Sequence, residues 1–170
     1  KRQALIALNA KLNLRKGEST RSLPIEEFFI AYGVQDLMSS EFIESIDIPQ
    51  TSGSLKCYKV SKRFDQDISA VCGCFLIKII NNKVVECRIA FGGMAATPKR
   101  ALKTEKTLLG FPWTINTINK AMNKLKQDFS PIDDMRASKN YRMEIAKNLA
   151  DEEYTKIQDG EYDAVKGTIS

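Results

Sequence analysis

Two apolar runs of similar length, DISAVCGCFLIKII and VVECRIAFGG, flank the short polar stretch Asn81-Asn82-Lys83. Asparagine tolerates the positive φ of tight turns, so the two runs are expected to pair as an antiparallel hairpin. CYKVSKR, just upstream, reads as a third strand. Downstream of the hairpin the apolar residues take helical spacing. Thr97 is the expected cap and Pro98 the first-turn residue of a helix running through Ala101, Leu102, Leu108 and Leu109 to a stop at Gly110. A second helix after Thr114 places Ile115, Ile118, Met122, Leu125 and Phe129 on one stripe, and a third after Ser138 carries Tyr141, Ile145, Leu149 and Tyr154. Strands followed by helices make an α+β arrangement.

Upstream of this block, KLNLRKGESTRSL reads as a hairpin about Lys16-Gly17-Glu18, with Leu12, Leu14 and Leu23 pointing inward. In LPIEEFFIAYG, Ser22 is the expected cap and Pro24 the first-turn residue of a short helix or turn presenting Ile25, Phe28 and Phe29. EFIESIDIP is an extended strand ending at Pro49. The polar stretch QTSGS, Gln50 to Ser54, marks a change of character, and we expect one unit over 1–52 and a second over 53–170.

Several function classes are disfavoured. There is no histidine, which removes the usual general base and the usual zinc ligand. The net charge of +5 is spread over interspersed residues, so no nucleic-acid partner is indicated. No apolar stretch approaches the roughly 18 residues of a membrane span, and no targeting segment is visible. Cys57, Cys72, Cys74 and Cys87 are expected to be reduced, core-filling thiols of a cytoplasmic protein.

Each candidate chemical motif has a plainer reading. Gly92-Gly93 lacks the spacing of a dinucleotide fingerprint or P-loop, and reads first as a tight connection rather than an anion cradle near Lys99 and Arg100. Cys72-x-Cys74 with Cys87 lacks zinc or iron–sulfur spacing and reads as core. Asp133-Asp134 is either an acid/base pair or, more simply, a loop pair partnered by Arg136. Lys99, Arg100, Lys103 and Lys106 either steer an anionic partner or form a solvated face. In YKVSKRFDQDI, Lys59, Lys62 and Arg63 sit beside Phe64 and two aspartates, which suits a flavin or nucleotide edge and equally an ion-pair loop. No catalytic residue and no metal ligand is assigned.

Taken in order, LPIEEFFIAYGVQDLMSSEFIESIDIP, YKVSKRFDQDISAV, AFGGMAATPKRA, LGFPWT and SPIDDMRASKNYR closely resemble the C-terminal half of the FAD-binding subunit of bacterial xanthine dehydrogenase, in the molybdenum hydroxylase family. The resemblance covers essentially the whole chain. It implies a three- to four-stranded antiparallel sheet packed against three helices, similar to the CO dehydrogenase flavoprotein C-terminal domain, preceded by the tail of an α+β FAD-binding domain. It also implies that Gly92-Gly93 is a hinge. The family's glycine-rich loop for the FAD pyrophosphate would lie upstream of Lys1. By position Ile43 matches an apolar residue beside the FAD, Lys59 a lysine contacting it, and Tyr32 an aromatic near the flavin and nicotinamide entrance. Gly33 stands where some relatives carry arginine.

The implied cofactor is FAD, with a molybdenum cofactor and 2Fe-2S clusters on other domains or subunits. The implied partners are upstream FAD-binding and iron–sulfur segments, a molybdenum-binding subunit and NAD. The implied function is electron transfer from iron–sulfur clusters through FAD to NAD during purine hydroxylation. Two alternatives stand beside it: a non-catalytic assembly module, or the flavoprotein of a CO- or aldehyde-oxidising enzyme.

Overall fold

A computed structural model describes residues 2–61 and 68–158. Its centre is the expected hairpin, β7 (Val71–Ile80) and β8 (Lys83–Gly92), turning at Asn81 and Asn82 with φ of 48° and 59°. β6 (Ser54–Val60) pairs with β7, and β9 (Lys99–Arg100) pairs with β8, giving an antiparallel sheet in the order β6-β7-β8-β9. The other strands are β1 (Lys11–Lys16), β2 (Ser19–Pro24), β3 (Phe29–Ala31), β4 (Val34–Gln35) and β5 (Phe42–Asp47). They form a three-stranded sheet, β2-β1-β5, and the two-stranded ribbon β3-β4. The helices are α1 (Arg2–Ala7), α2 (Ile25–Phe28), α3 (Leu102–Leu108), α4 (Ile115–Asp128) and α5 (Lys139–Gln158). Among the described residues no helix is long and apolar enough to cross a membrane.

The near-continuous apolar character of β7 and β8 has a simple cause: both faces of their sheet are covered. One face carries Phe75, Ile77, Ile89 and Phe91 into a core with Leu108, Ile118, Leu125 and Leu149 of the helices. The other carries Cys74, Leu76 and Ala90 against Ile6, Leu12, Leu14 and Phe28. Across the helical side runs a row of edge-to-face rings, Tyr58–Phe75–Phe91–Phe129, with centroids 5.9, 5.7 and 5.5 Å apart.

Charged groups tie the two cores together around β8. Arg88 donates to the carbonyls of Ile6 and Ala7, at 2.8 and 3.0 Å, satisfying the end of α1. Glu26 of α2 lies 3.8 Å from Arg88 and 3.5 Å from Arg100. Arg100 also pairs with Glu105 at 2.6 Å, and Glu105 accepts the Ile89 N–H at 2.7 Å. The buried carboxylate thus has a cation and a backbone donor.

Four local expectations change. Ser22 lies inside β2 opposite Asn13, and α2 begins after Pro24 with no side-chain cap. Thr97 and Pro98 do not open a helix, because Lys99 and Arg100 join the sheet opposite Phe91 and Ala90 and the Ala101 N–H extends the ladder to the Ile89 carbonyl. The cap of α3 comes from Asp128 at the end of α4. Its carboxylate accepts the N–H groups of Lys103 and Thr104 at 2.9 Å each and the Thr104 hydroxyl at 2.8 Å. The buried face of α5 is Arg142, Ala146, Leu149, Ala150 and Glu153, and Tyr141 turns toward solvent, since the small alanines allow the closest approach to the sheet. The thiols also divide: Cys74 and Cys87 are buried on opposite faces of the sheet, Cys72 is half-buried, and Cys57 on edge strand β6 is exposed rather than core-filling.

Candidate cofactor-binding site

Gly92-Gly93 is a hinge filled by protein. Gly93 has a φ of 82°, and a Cβ there would lie 2.1 Å from the Ala70 carbonyl oxygen. Arg142, buried on α5, closes the same turn: it donates to the carbonyls of Ala70 and Gly93 and to Asp134 Oδ1 at 2.6 Å. Sequence reasoning missed Arg142, whose signal was only a cation on an apolar helix face. Asp134 also accepts the N–H groups of Arg136 and Ala137, which hold its carboxyl below the usual range together with the Arg142 guanidinium. Asp133 accepts the Lys139 N–H at 2.6 Å, in the manner of a helix cap. The pair builds a loop, and Arg142 at 2.6 Å is a closer partner of Asp134 than Arg136 at 3.6 Å.

Tyr32 sits at the tip of the β3–β4 ribbon beside Gly33, whose φ is 72°, and is 87% exposed. It borders a hollow of about 330 Å³ with Arg2, Phe29, Thr97 and Pro98. The Arg2 guanidinium lies 5.2 Å from the Phe29 ring centroid on one wall. The loop after β4 is held by Arg21 of β2, which contacts Asp36 at 2.9 Å and Glu41 at 2.7 Å. That guanidinium, with the Met38 N–H, holds the Glu41 carboxyl down to about 2.

Ile43 lies on edge strand β5 opposite Leu14, 43% exposed, on the same face as Ile46, which stands opposite Leu12. Lys59 is exposed on β6, opposite Cys72. Just beyond it, Val60, Ser61, Ala70, Arg136 and Tyr141 border a second hollow of about 330 Å³, where the buried Ser61 hydroxyl has no hydrogen-bond partner among the described residues. Lys62, Arg63, Phe64, Asp65 and Asp67, the rest of the cation and aromatic cluster, lie outside the described residues.

The three candidate residues are therefore not gathered in one cavity. Tyr32 lies on the small ribbon, Ile43 on the β2-β1-β5 sheet and Lys59 on the β6–β9 sheet, and neither Ile43 nor Lys59 borders the Tyr32 hollow. What they offer is exposed apolar residues on β5 and a cation on β6. A pyrophosphate grip is not formed at Gly92-Gly93, where the Ala70 carbonyl and Arg142 occupy the turn. Among the described residues no group of three His, Cys, Asp or Glu side chains is placed to hold a metal ion.

Residues 2–51 match the FAD binding domain in molybdopterin dehydrogenase. The glyceraldehyde dehydrogenase medium chain of Sulfolobus acidocaldarius is 28% identical over 85% of this chain, and the chain covers 52% of that relative. A putative xanthine dehydrogenase FAD-binding subunit of Escherichia coli is 29% identical over 83% of this chain, which covers 49% of it. The chain thus spans about half the length of these two relatives. In fold it is similar to a carbon monoxide dehydrogenase structure from Hydrogenophaga pseudoflava, with a TM-score of 0.82, 23% identity and coverage of 89% of this chain and 53% of that one. Residues 56–157, more than half of the 170, match the CO dehydrogenase flavoprotein C-terminal domain, and the chain belongs to that family.

Proposed function

We propose that this chain serves in the FAD-binding subunit of a xanthine dehydrogenase-like oxidoreductase, in the step that carries electrons from iron–sulfur clusters through FAD to NAD. The observation that carries the reading is the order of the two family matches, 2–51 and then 56–157, along one chain. The cofactor supplies the hydride chemistry, and the protein supplies position, exclusion of water and electrostatics. In this reading Ile43 and its apolar neighbours on β5 cover one flank of the FAD. Lys59 places a positive charge at its edge, and Tyr32 guards the entrance for the nicotinamide. The iron–sulfur segments, the pyrophosphate grip and the molybdenum-binding subunit come from the remainder of the assembly. A second reading, aldehyde oxidation, is favoured by the similarity to the glyceraldehyde dehydrogenase medium chain over 85% of this chain.

The test is the visible spectrum of the native complex with its NAD reduction in the presence of xanthine or of glyceraldehyde. Bound flavin with xanthine-dependent NAD reduction supports the first reading, and glyceraldehyde-dependent turnover supports the second. A complex without flavin overturns both and leaves an assembly module. Within a flavin-containing complex, Lys59→Ala is expected to make the flavin harder to reduce and to slow NAD reduction about 5-fold, the loss of one favourable charge contact of about 1 kcal/mol. Unchanged potential and rate would remove Lys59 from the site.

A further inference from the structure

β6 and β7 bring three of the four cysteines to one face of the sheet. The register sets Cys57 opposite Cys74 and Lys59 opposite Cys72, and the two-residue period of a strand points all four side chains the same way. Directly opposed residues of an antiparallel pair have Cα atoms about 4.5–5.5 Å apart, inside the roughly 4.4–6.8 Å that a disulfide spans. Cys57 and Cys72 are diagonal neighbours at about 7–8 Å, beyond that span. Cys72 and Cys74 are two residues apart on one strand, about 6.6–6.8 Å at the strand rise and at the upper edge of that span, so the directly opposed Cys57 and Cys74 are the best-placed pair.

We propose that Cys57 and Cys74 are a thiol modification site, a cross-strand dithiol that a hydroperoxide oxidises to a disulfide. Cys57 is exposed on the edge strand, so the oxidant reaches it, and Cys74 is buried directly behind it. Cys72 flanks Cys74 on the same face of β7, two residues away. The neighbouring Cys74 thiol holds Cys57 below the ordinary thiol value and brings Cys72 to about 7, with Lys59 contributing. A lowered thiol has more of the nucleophilic thiolate at neutral pH. Cys87 is the internal control. It is buried in the helical core, where desolvation pushes its thiol up.

The chemistry balances in two steps. The Cys57 sulfur attacks one oxygen of the hydroperoxide. The O–O bond breaks, sulfur gives up two electrons to form the sulfenic acid, and the other oxygen leaves as an alcohol, or as water from hydrogen peroxide, carrying the thiol proton. The Cys74 sulfur then attacks that sulfur. The S–S bond forms, the S–O bond breaks, and the hydroxyl leaves as water with the Cys74 proton. Two thiols and one hydroperoxide give one disulfide, one alcohol and one water.

The proposal does not depend on bound FAD. Its test is the full-length subunit, reduced, freed of reductant under nitrogen and treated with excess hydrogen peroxide, then digested with trypsin without reduction. Cleavage after Lys56, Lys59, Arg63 and Lys78 separates CYK from FDQDISAVCGCFLIK. The expected result is a dithiothreitol-sensitive link between these peptides, with fragmentation between Cys72 and Cys74 placing it on Cys74. Cys72→Ser and Cys87→Ser should keep the link. The exposed-site variant Cys57→Ser should abolish it and leave Cys74 reduced, without the folding burden of a buried substitution. A link through Cys72, sulfinic acid on Cys57 without a link, or no change would each overturn the proposal.

Discussion

Glu153 is fully buried on α5, with the Tyr58 hydroxyl donating to Oε2 at 2.6 Å and Oε1 without a hydrogen-bond partner among the described residues. Burial pushes its carboxyl up from 4.5 to about 7, against the Tyr58 hydrogen bond and the charges of Lys56 and Lys156. The folded state therefore keeps a proton that the unfolded state has released. Stability should decline as pH rises from about 4.5 to about 7, then stay level, with a total loss on the order of 2–4 kcal/mol. Glu153→Gln is neutral at every pH, so its urea midpoint should exceed that of the natural chain clearly at pH 8 and only slightly at pH 5. An equal advantage at both would show that ionisation is not the cause. Neither Glu153 nor Arg142 was legible in the sequence as a buried group, because a charge on a helix normally marks the solvent side. Only the tertiary partners, Tyr58 for one and the Ala70 and Gly93 carbonyls for the other, explain their burial.

At the scale of elements, the sequence was legible where a local signal met no competing tertiary pairing, as it did at Ser22 and Thr97-Pro98. Asn81-Asn82 specified the β7–β8 turn, and Thr114 capped α4 by accepting the Thr117 N–H at 3.3 Å, both as their residue types imply. The start of α3 was not legible, since its cap is Asp128, 24 residues beyond Thr104, while Thr97-Pro98 offered a nearer false start. A strand as short as β9 has no periodicity to read, and only its ladder to β8 defines it. Asp128→Ala should free the first N–H groups of α3 and the Thr104 hydroxyl together. The expected cost is about 1–2 kcal/mol, measured as a lower thermal midpoint, with faster hydrogen exchange confined to 102–108. Uniform acceleration throughout the chain would argue against a local cap. The candidate site was legible only as an order of motifs: Tyr32, Ile43 and Lys59 carry no pattern that marks them, and they stand on three separate sheets.

For the whole molecule, the decisive feature is a sheet covered on both sides, with the Arg88–Glu26–Arg100–Glu105 network where the layers meet. Arg88→Ala would remove the Arg88 donor from the Ala7 carbonyl, leave the Ile6 carbonyl with the Asn9 N–H, and leave Glu26 with one cation fewer. We expect a destabilisation of about 2–3 kcal/mol, with α1 and β1 gaining hydrogen exchange ahead of α4. Simultaneous loss of protection in both layers would show that they unfold as one unit. The Arg142 clasp has a consequence for the order in which the chain is made. Arg142 closes on a carbonyl 49 residues earlier, that of Gly93, and on Ala70 earlier still, so the β7–β8 hairpin leaves the ribosome long before its fastener does. During that interval the reversal at Gly93 rests on the freedom of glycine alone, and the nascent sheet waits, one face open, for the last helix to arrive.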